Sequence, residues 1–292
     1  MTQGYIVLAT GKLAYVDMAM NLAASLRVLD PSRPICLVHD PGLDRSGELS
    51  LLFDHFVPLA PDPLYPHVMN KLRVFDLSPY HETMFVDADC LLVKKDIDVW
   101  WEECGRHFFG SGGNIIRGGE WKGVDIGPIL RAHGAEYMVM LNAGVFYFRK
   151  DKEGTDFFCA LGEFYLANRE RLSITNYKGP RSQSFEFYLG LFMGLHDLRR
   201  LIVGNRMDGG VEHSWMVSTW RSIWCDLAPE RGRSWIFKAD GFIGTLPFLP
   251  TRIVRLSPTF AHFIGLRPAR TYAALAARFR HEARALERRP AA

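Results

Sequence analysis

An unbroken apolar run, then a helical period, then a second apolar run constrains this chain more than any other feature. Residues Gly4 to Thr10, GYIVLAT, are apolar at nearly every position and stop at Gly11. A strand with one wet face alternates polar and apolar residues. A strand that is apolar throughout is covered on both faces, as in a parallel sheet. From Tyr15 to Leu29 the residues Tyr15, Met18, Ala19, Leu22, Leu26 and Leu29 recur at threes and fours, and Pro31 ends the pattern; this spacing predicts an amphipathic helix. Arg33 to Asp40, RPICLVHD, is a second apolar run, closed by Pro-Gly. Strand, helix and strand in this order predict an α/β fold of Rossmann-like type, with a mostly parallel central sheet flanked by helices.

Further along, a helix is expected near Gly47 to Phe53, a proline-rich loop from Pro58 to Pro66, and a short helix around Asn70 to Leu77. The glycine-rich GSGGNIIRGGEWKG, Gly110 to Gly123, reads as a loop, and it lacks the terminal GK[ST] of a phosphate-binding P-loop. Val139 to Lys150 reads as another central strand, followed by helical periods over Thr155 to Arg171 and Gln183 to Leu195. Gly204 to Pro250 mixes glycines and tryptophans with no clear period.

Charge narrows the function classes. The 35 basic and 32 acidic residues leave a formal net charge of +3, too even a balance for bulk attraction to nucleic acid. Five cysteines, Cys36, Cys90, Cys104, Cys159 and Cys225, are widely spaced and form no CxxC pair. That fits reduced thiols and a cytoplasmic location. The start, MTQGYIVLATGK, shows no basic leader, and no stretch approaches the roughly 20 apolar residues of a membrane span.

One strand breaks its own rule. In TMFVDADCLLV, Thr83 to Val93, an apolar run stops for two aspartates one residue apart and then resumes. In an extended chain Asp87 and Asp89 share a face, with Ala88 opposite. Two like charges held close raise each other's pKa unless a cation compensates them. Oxygen ligands of this kind suit Mg²⁺ or Mn²⁺ completed by substrate phosphates, and open α/β sheets bind ligands beyond the carboxyl ends of their strands. By itself the triplet equally suits a turn or a helix cap.

The block NKLRVFDLSPYHETMFVDADCLLV, Asn70 to Val93, resembles the glycogenin-like retaining glycosyltransferases (glycosyltransferase family 8) of GT-A fold, in which a lysine segment leads into a strand ending in Asp-x-Asp. Three more blocks are similar to that family in the same order: LATGKLAYVDMAMNLAASLR (Leu8 to Arg27), LNAGVFYF (Leu141 to Phe148) and HFIGLRP (His262 to Pro268). Together they cover about a third of the chain. The resemblance implies one GT-A domain over 1–268, with a nucleotide-sugar and metal-binding half at 1–150 and an acceptor-side half at 151–268, followed by a basic tail at 269–292.

It also implies roles. Asp87, Asp89 and His262 would bind Mn²⁺ (or Mg²⁺) at the diphosphate of a UDP-sugar, the histidine nitrogen favouring manganese. Lys71, Gly265 and Arg267 would meet the phosphates, Arg267 replacing the family's usual lysine. Thr10 and Tyr15 would sit at the nucleotide base, and Ala88 among the donor contacts. Tyr15 fits the helix's buried face as well, and Lys71 alone reads as a solvated surface group. Asn142, before the small pair Ala143-Gly144, would bind sugar hydroxyls; its alternative is to satisfy a turn. Where the family carries Asp-Gln, this chain has Ser182-Gln183. Glu186, about one helical turn on, is the candidate replacement carboxylate beside Gln183.

The implied reaction is hexosyl transfer, with retention, to a hydroxyl of a glycan, protein or small molecule, the departing phosphate helping to deprotonate the acceptor. Competing readings are a sugar nucleotidyltransferase and a non-catalytic nucleotide- or carbohydrate-binding protein on a degenerate transferase fold. The tail, Thr271 to Arg289, sets Tyr272, Leu275, Phe279 and Leu286 on one helical face with arginines mostly elsewhere. Such a helix packs on its own domain or touches an anionic membrane surface peripherally. For most of the seven tryptophans, core packing is the expected role.

Overall fold

The computed structural model describes residues 2–172, 183–203, 214–242 and 250–287. In chain order the elements begin β1 (Gln3–Ala9), α1 (Leu13–Leu29), β2 (Ile35–His39), α2 (Glu48–Leu52) and β3 (His55–Pro58). A 3-10 helix over His67–Arg73 then runs into α3 (Val74–Leu77), β4 (Glu82–Val86), β5 (Cys90–Leu92) and α4 (Ile97–Cys104). Next come β6 (Phe109–Ile116), the short strands β7 (Glu120–Trp121) and β8 (Val124–Asp125), α5 (Ile126–His133), β9 (Met138–Arg149), α6 (Lys152–Asn168) and α7 (Phe185–Leu195). The remainder is β10 (Ser214–Ser218), β11 (Ser222–Ala228), β12 (Arg233–Phe242), β13 (Pro250–Leu256), β14 (Pro258–His262) and α8 (Ala269–Glu287).

Among the described residues the central sheet has six strands in the order β3-β2-β1-β4-β9-β6. The β1, β2, β3 and β4 pairings are parallel. Only β9 runs against its neighbours, β4 and β6. The continuous apolar runs have their expected cause. Tyr5, Val7, Met84, Val86, Val145 and Tyr147 face a core shared with α1 and α8. Their sequence neighbours Ile6, Phe85, Phe146 and Phe148 face a second core with α6 and α7. Each strand is covered on both sides, so neither set of alternate positions tolerates charge.

Two expectations are corrected. The glycine-rich stretch from Gly110 is not a loop at its start, because β6 occupies Phe109–Ile116 and pairs with β9. A Cβ at Gly113 would stand 2.8 Å from Val139 Cγ1. The glycine admits a close approach of the two strands, so here it marks tight packing. Tyr15, given a buried alternative on α1, is 40% exposed, while Val16, Ala19 and Leu22 carry the buried face. The tryptophans divide: Trp100, Trp101 and Trp215 are in the core, whereas Trp220 and Trp224 are more than half exposed.

A second, three-stranded sheet, β10-β14-β5, adjoins the first, and β11-β12-β13 form an antiparallel sheet. α8 packs on α1 through Tyr272, Leu275, Ala276 and Phe279, all buried, while Leu286 is exposed. The apolar face read from the tail is therefore mostly covered by the protein itself. Among the described residues no helix is long and apolar enough to cross a membrane. All five cysteines are free thiols.

Candidate active site

The aspartate pair sits where the central sheet hands the chain to the smaller one. β4 ends at Val86, and Asp87, Ala88 and Asp89 form a turn closed by the Cys90 N–H donating to the Asp87 carbonyl at 2.9 Å. The shared face of an extended strand is thus not what aligns the two carboxylates; a turn does, and both of its ends are anchored. Asp87 N–H donates to Gly144 O at 2.7 Å, and Phe263 N–H donates to Asp89 O at 2.9 Å. These bonds pin the turn to β9 and to the end of β14. The Ala88 methyl packs into the core, so what Ala88 can offer a ligand is backbone.

Each carboxylate has its own cation. Lys71, 8% exposed on the 3-10 helix, places Nζ 2.7 Å from both oxygens of Asp87 and 2.9 Å from Ala143 O. It is a buried, committed charge and not a solvated one. His262, at the end of β14, holds Nε2 3.1 Å from Asp89 Oδ1. Its Nδ1 lies 3.1 Å from Asn142 Oδ1, which also accepts the Gly144 N–H at 3.0 Å. A backbone N–H only donates, so that amide atom is the oxygen and Nδ1 carries a hydrogen. Nε2 is the imidazole atom left for Asp89 or for an ion.

About a quarter of each aspartate side chain still meets solvent. Lost hydration nevertheless raises Asp87 above the ordinary carboxylate value, Lys71 opposing this and Asp89 adding to it. At Asp89 lost hydration is outweighed by the charge and hydrogen bond of His262, and its pKa is lowered. His262 is raised because the two aspartates, Asp89 foremost, overcome the burial that favours its neutral form. With Nδ1 donating to Asn142, the 3.1 Å contact of Nε2 with the Asp89 carboxylate needs a hydrogen on Nε2, so a cation bound at that nitrogen displaces a proton. Asp89, Cys90 and His262 place ligand atoms within 4.8 Å of one another, a group able to hold a metal ion. Carboxylate oxygen plus imidazole nitrogen, with the histidine oriented by Asn142, is a donor set that fits a divalent transition metal.

Across Ala143 lies Glu186, in the first turn of α7. Its Oε1 accepts the Ala143 N–H at 3.0 Å, and its other oxygen pairs with Lys122 between β7 and β8. The Asn142-Ala143-Gly144 segment is thereby clamped from three sides, by Lys71, Glu186 and Asp87. Gln183 makes different contacts: Oε1 accepts from Tyr165 at 2.6 Å and Nε2 donates to Arg169 O at 3.2 Å. Ser182 lies outside the described residues. Thr10 and the exposed Tyr15 follow the carboxyl end of β1, where a cleft of about 300 Å³ is lined by Gly11, Lys12, Asp40 and Leu43 among others, but by neither Thr10 nor Tyr15. Gly11 N–H donates to Asp40 Oδ2 at 2.6 Å there. Gly265 has φ +64° and is exposed, as is Arg267, both just beyond His262.

No family model matches the chain, and no curated protein matches it. Solved structures to which it is similar include the glycosyltransferase GlyE of Streptococcus pneumoniae, 16% identical, with a TM-score of 0.40 over 61% of this chain and 42% of that one. The galactosyltransferase LgtC, solved with donor and acceptor sugar analogs, is 15% identical, with a TM-score of 0.43 over 64% and 70%. Mouse xyloside xylosyltransferase 1 is 11% identical, with a TM-score of 0.45 over 76% and 90%. These three are glycosyltransferases. The chain spans less than half of the pneumococcal protein.

Two members of the site lay outside the sequence reading. Lys122 belongs to the glycine-rich stretch read as a loop, and nothing local signals that it reaches Glu186. Cys90 follows the Asp-x-Asp directly, but its place beside His262 depends on the pairing of β5 with β14.

Proposed function

We propose that the protein is a metal-dependent glycosyltransferase that moves a hexosyl group, with retention, from a nucleotide sugar of the UDP-sugar class to an acceptor hydroxyl. The observation that carries this reading is the convergence of Lys71, Asp87, Asp89, Asn142 and His262, drawn from four separate segments, into one hydrogen-bonded cluster at the carboxyl end of β4. Ligands bind at that end of open α/β sheets.

Asp89 and His262 would hold Mn²⁺ or Mg²⁺, with Asp87 beside them. When bound, the ion neutralises charge developing on the departing nucleoside diphosphate. Lys71 keeps a positive charge in the same place, fixed by Asp87 and the Ala143 carbonyl, so no reorganisation is needed as phosphate charge builds. The Asn142 carbonyl oxygen is already occupied by His262 and Gly144, which leaves its amide nitrogen to donate to a sugar hydroxyl. A retaining glycosidase would need a free carboxylate nucleophile. Glu186, the carboxylate across Ala143, has both oxygens engaged. That favours attack on the same face of the sugar, with the leaving phosphate taking the acceptor's proton. The base would enter the cleft at the carboxyl end of β1 lined by Gly11, Lys12, Asp40 and Leu43.

Incubation with a panel of nucleotide sugars and Mn²⁺, scoring nucleoside diphosphate release, tests the reading. Asp89→Ala should reduce turnover by about 10²-fold or more, the scale of losing a principal transition-state stabiliser, with the circular dichroism spectrum unchanged. Undiminished turnover in that variant, or pyrophosphate release from a sugar 1-phosphate and UTP, would overturn it.

A further inference from the structure

We propose that Asp89, Cys90 and His262 also form a site for a thiophilic divalent cation, Zn²⁺ or its analogues Co²⁺ and Cd²⁺, with the Cys90 sulfur as a ligand. The inference starts from strand pairing. Cys90 lies directly across from His262 in the antiparallel register of β5 and β14, and residues opposite one another in such a pair present their side chains to the same face. The sulfur, an imidazole nitrogen and an Asp89 oxygen accordingly fall within 4.8 Å of one another.

An ion with bonds of about 2.0–2.3 Å in tetrahedral geometry needs donors roughly 3–4 Å apart. Asp89 and His262 already stand at 3.1 Å. The sulfur is the donor that has to move, and the contact it leaves is weak: a thiol bond to the Gly144 carbonyl at 3.7 Å. Asp87 is the less available carboxylate, since Lys71 engages both of its oxygens. The three donors are therefore oxygen, nitrogen and sulfur, a set that suits zinc-like ions and disfavours Mg²⁺. His262 is oriented for the task by Asn142, whose own oxygen is fixed by Gly144.

On binding, the Cys90 thiol proton and the His262 Nε2 proton pass to solvent while sulfur and nitrogen lone pairs bond to the ion. The inference rests on the reading above in taking Asp89 and His262 as metal ligands, and it adds an ion class and a ligand. Because those two residues are shared, zinc and manganese exclude each other.

The test is optical titration of the full chain, stripped of metal by chelator, with Co²⁺. One equivalent should produce a near-ultraviolet sulfur-to-cobalt charge-transfer band together with the visible bands of a tetrahedral ion, and Zn²⁺ should erase both. Cys90→Ser and Cys90→Ala should each lose the charge-transfer band and bind Zn²⁺ at least about tenfold more weakly, the usual scale for loss of a metal-site contact. The thermal midpoint should hold in at least one of the two variants. No Co²⁺ binding, binding without the charge-transfer band, or a band that survives both substitutions would overturn the proposal. None of these results touches the transferase reading, which is decided by turnover of nucleotide sugars with Mn²⁺.

Discussion

Gly144 shows how tightly single residues are specified at this site. Its carbonyl accepts the Asp87 N–H and its own N–H orients Asn142. A Cβ placed on it would lie 2.6 Å from His262 Nδ1, a distance that forces the imidazole to shift. Gly144→Ala should therefore leave a folded protein, destabilised by about 1–3 kcal/mol through overpacking, whose Mn²⁺ affinity falls at least about tenfold. Calorimetric titration with Mn²⁺ alongside a thermal melt checks this, and unchanged affinity would show that His262 does not need its present position. At this scale the sequence was readable wherever spacing expresses chemistry, as in Asp87-x-Asp89 and Asn142 before a small pair. It was opaque for Lys71, whose Nζ reaches Asp87 and the Ala143 carbonyl from the 3-10 helix, and for Cys90, whose partner is 172 residues away.

Between elements, the decisive contact for Glu186 is α7 lying on β9. Gly190 and Gly194, four apart and so on one face of α7, touch the strand backbone. Added Cβ atoms would fall 2.1 Å from Val139 O and within bonding distance of Tyr137 O. Backbone atoms cannot rotate out of the way as a side chain can. Gly190→Ala should lift α7 off β9 and draw Glu186 away from Ala143, at a cost of about 3 kcal/mol. Chemical denaturation measures the loss, and an amide exchange rate at Ala143 that rises with it reports the broken Glu186 bond. A variant as stable as the parent would mean that α7 can settle elsewhere. Glycine in a helical or strand pattern is locally a weakness; both here and at Gly113 its reason is a neighbour that no local pattern reveals. That is why the strand beginning at Phe109 read as a loop.

Across the whole molecule, α8 fastens the far end of the chain to its beginning. Arg280 and Arg284 both grip Glu48, at 2.6 and 2.8 Å from Oε2, and Tyr272 Oη accepts from Asn21. The hydrogen bond from Arg280 outweighs lost hydration and, with Arg284, holds the Glu48 carboxyl down to about 2 from an ordinary value of 4.5. A pKa depressed by folding contributes stability above the unfolded value and loses it as pH falls through the folded one. Glu48→Gln should therefore cost about 1 kcal/mol at pH 7, allowing for solvent screening. Its gap from the parent should close between about pH 4.5 and 2, which urea melts across that range would record. A gap independent of pH would mean that Glu48 acts through shape and not charge.

What the sequence determined by itself was the alternation of short apolar runs and helical periods, hence the α/β class with a mostly parallel sheet, because burial on both faces writes itself into consecutive residues. It also singled out Lys71, Asp87, Asp89, Asn142 and His262, which the fold brings into one cluster. Tertiary structure alone decided that Asp87 and Asp89 lie in a turn, that Lys71 answers one and His262 the other, and that Glu186 reaches Ala143. Those pairings join residues 16, 173 and 43 positions apart. Their geometry is set by sheet order and by the close packing of α7, and neither leaves a local trace in composition or spacing.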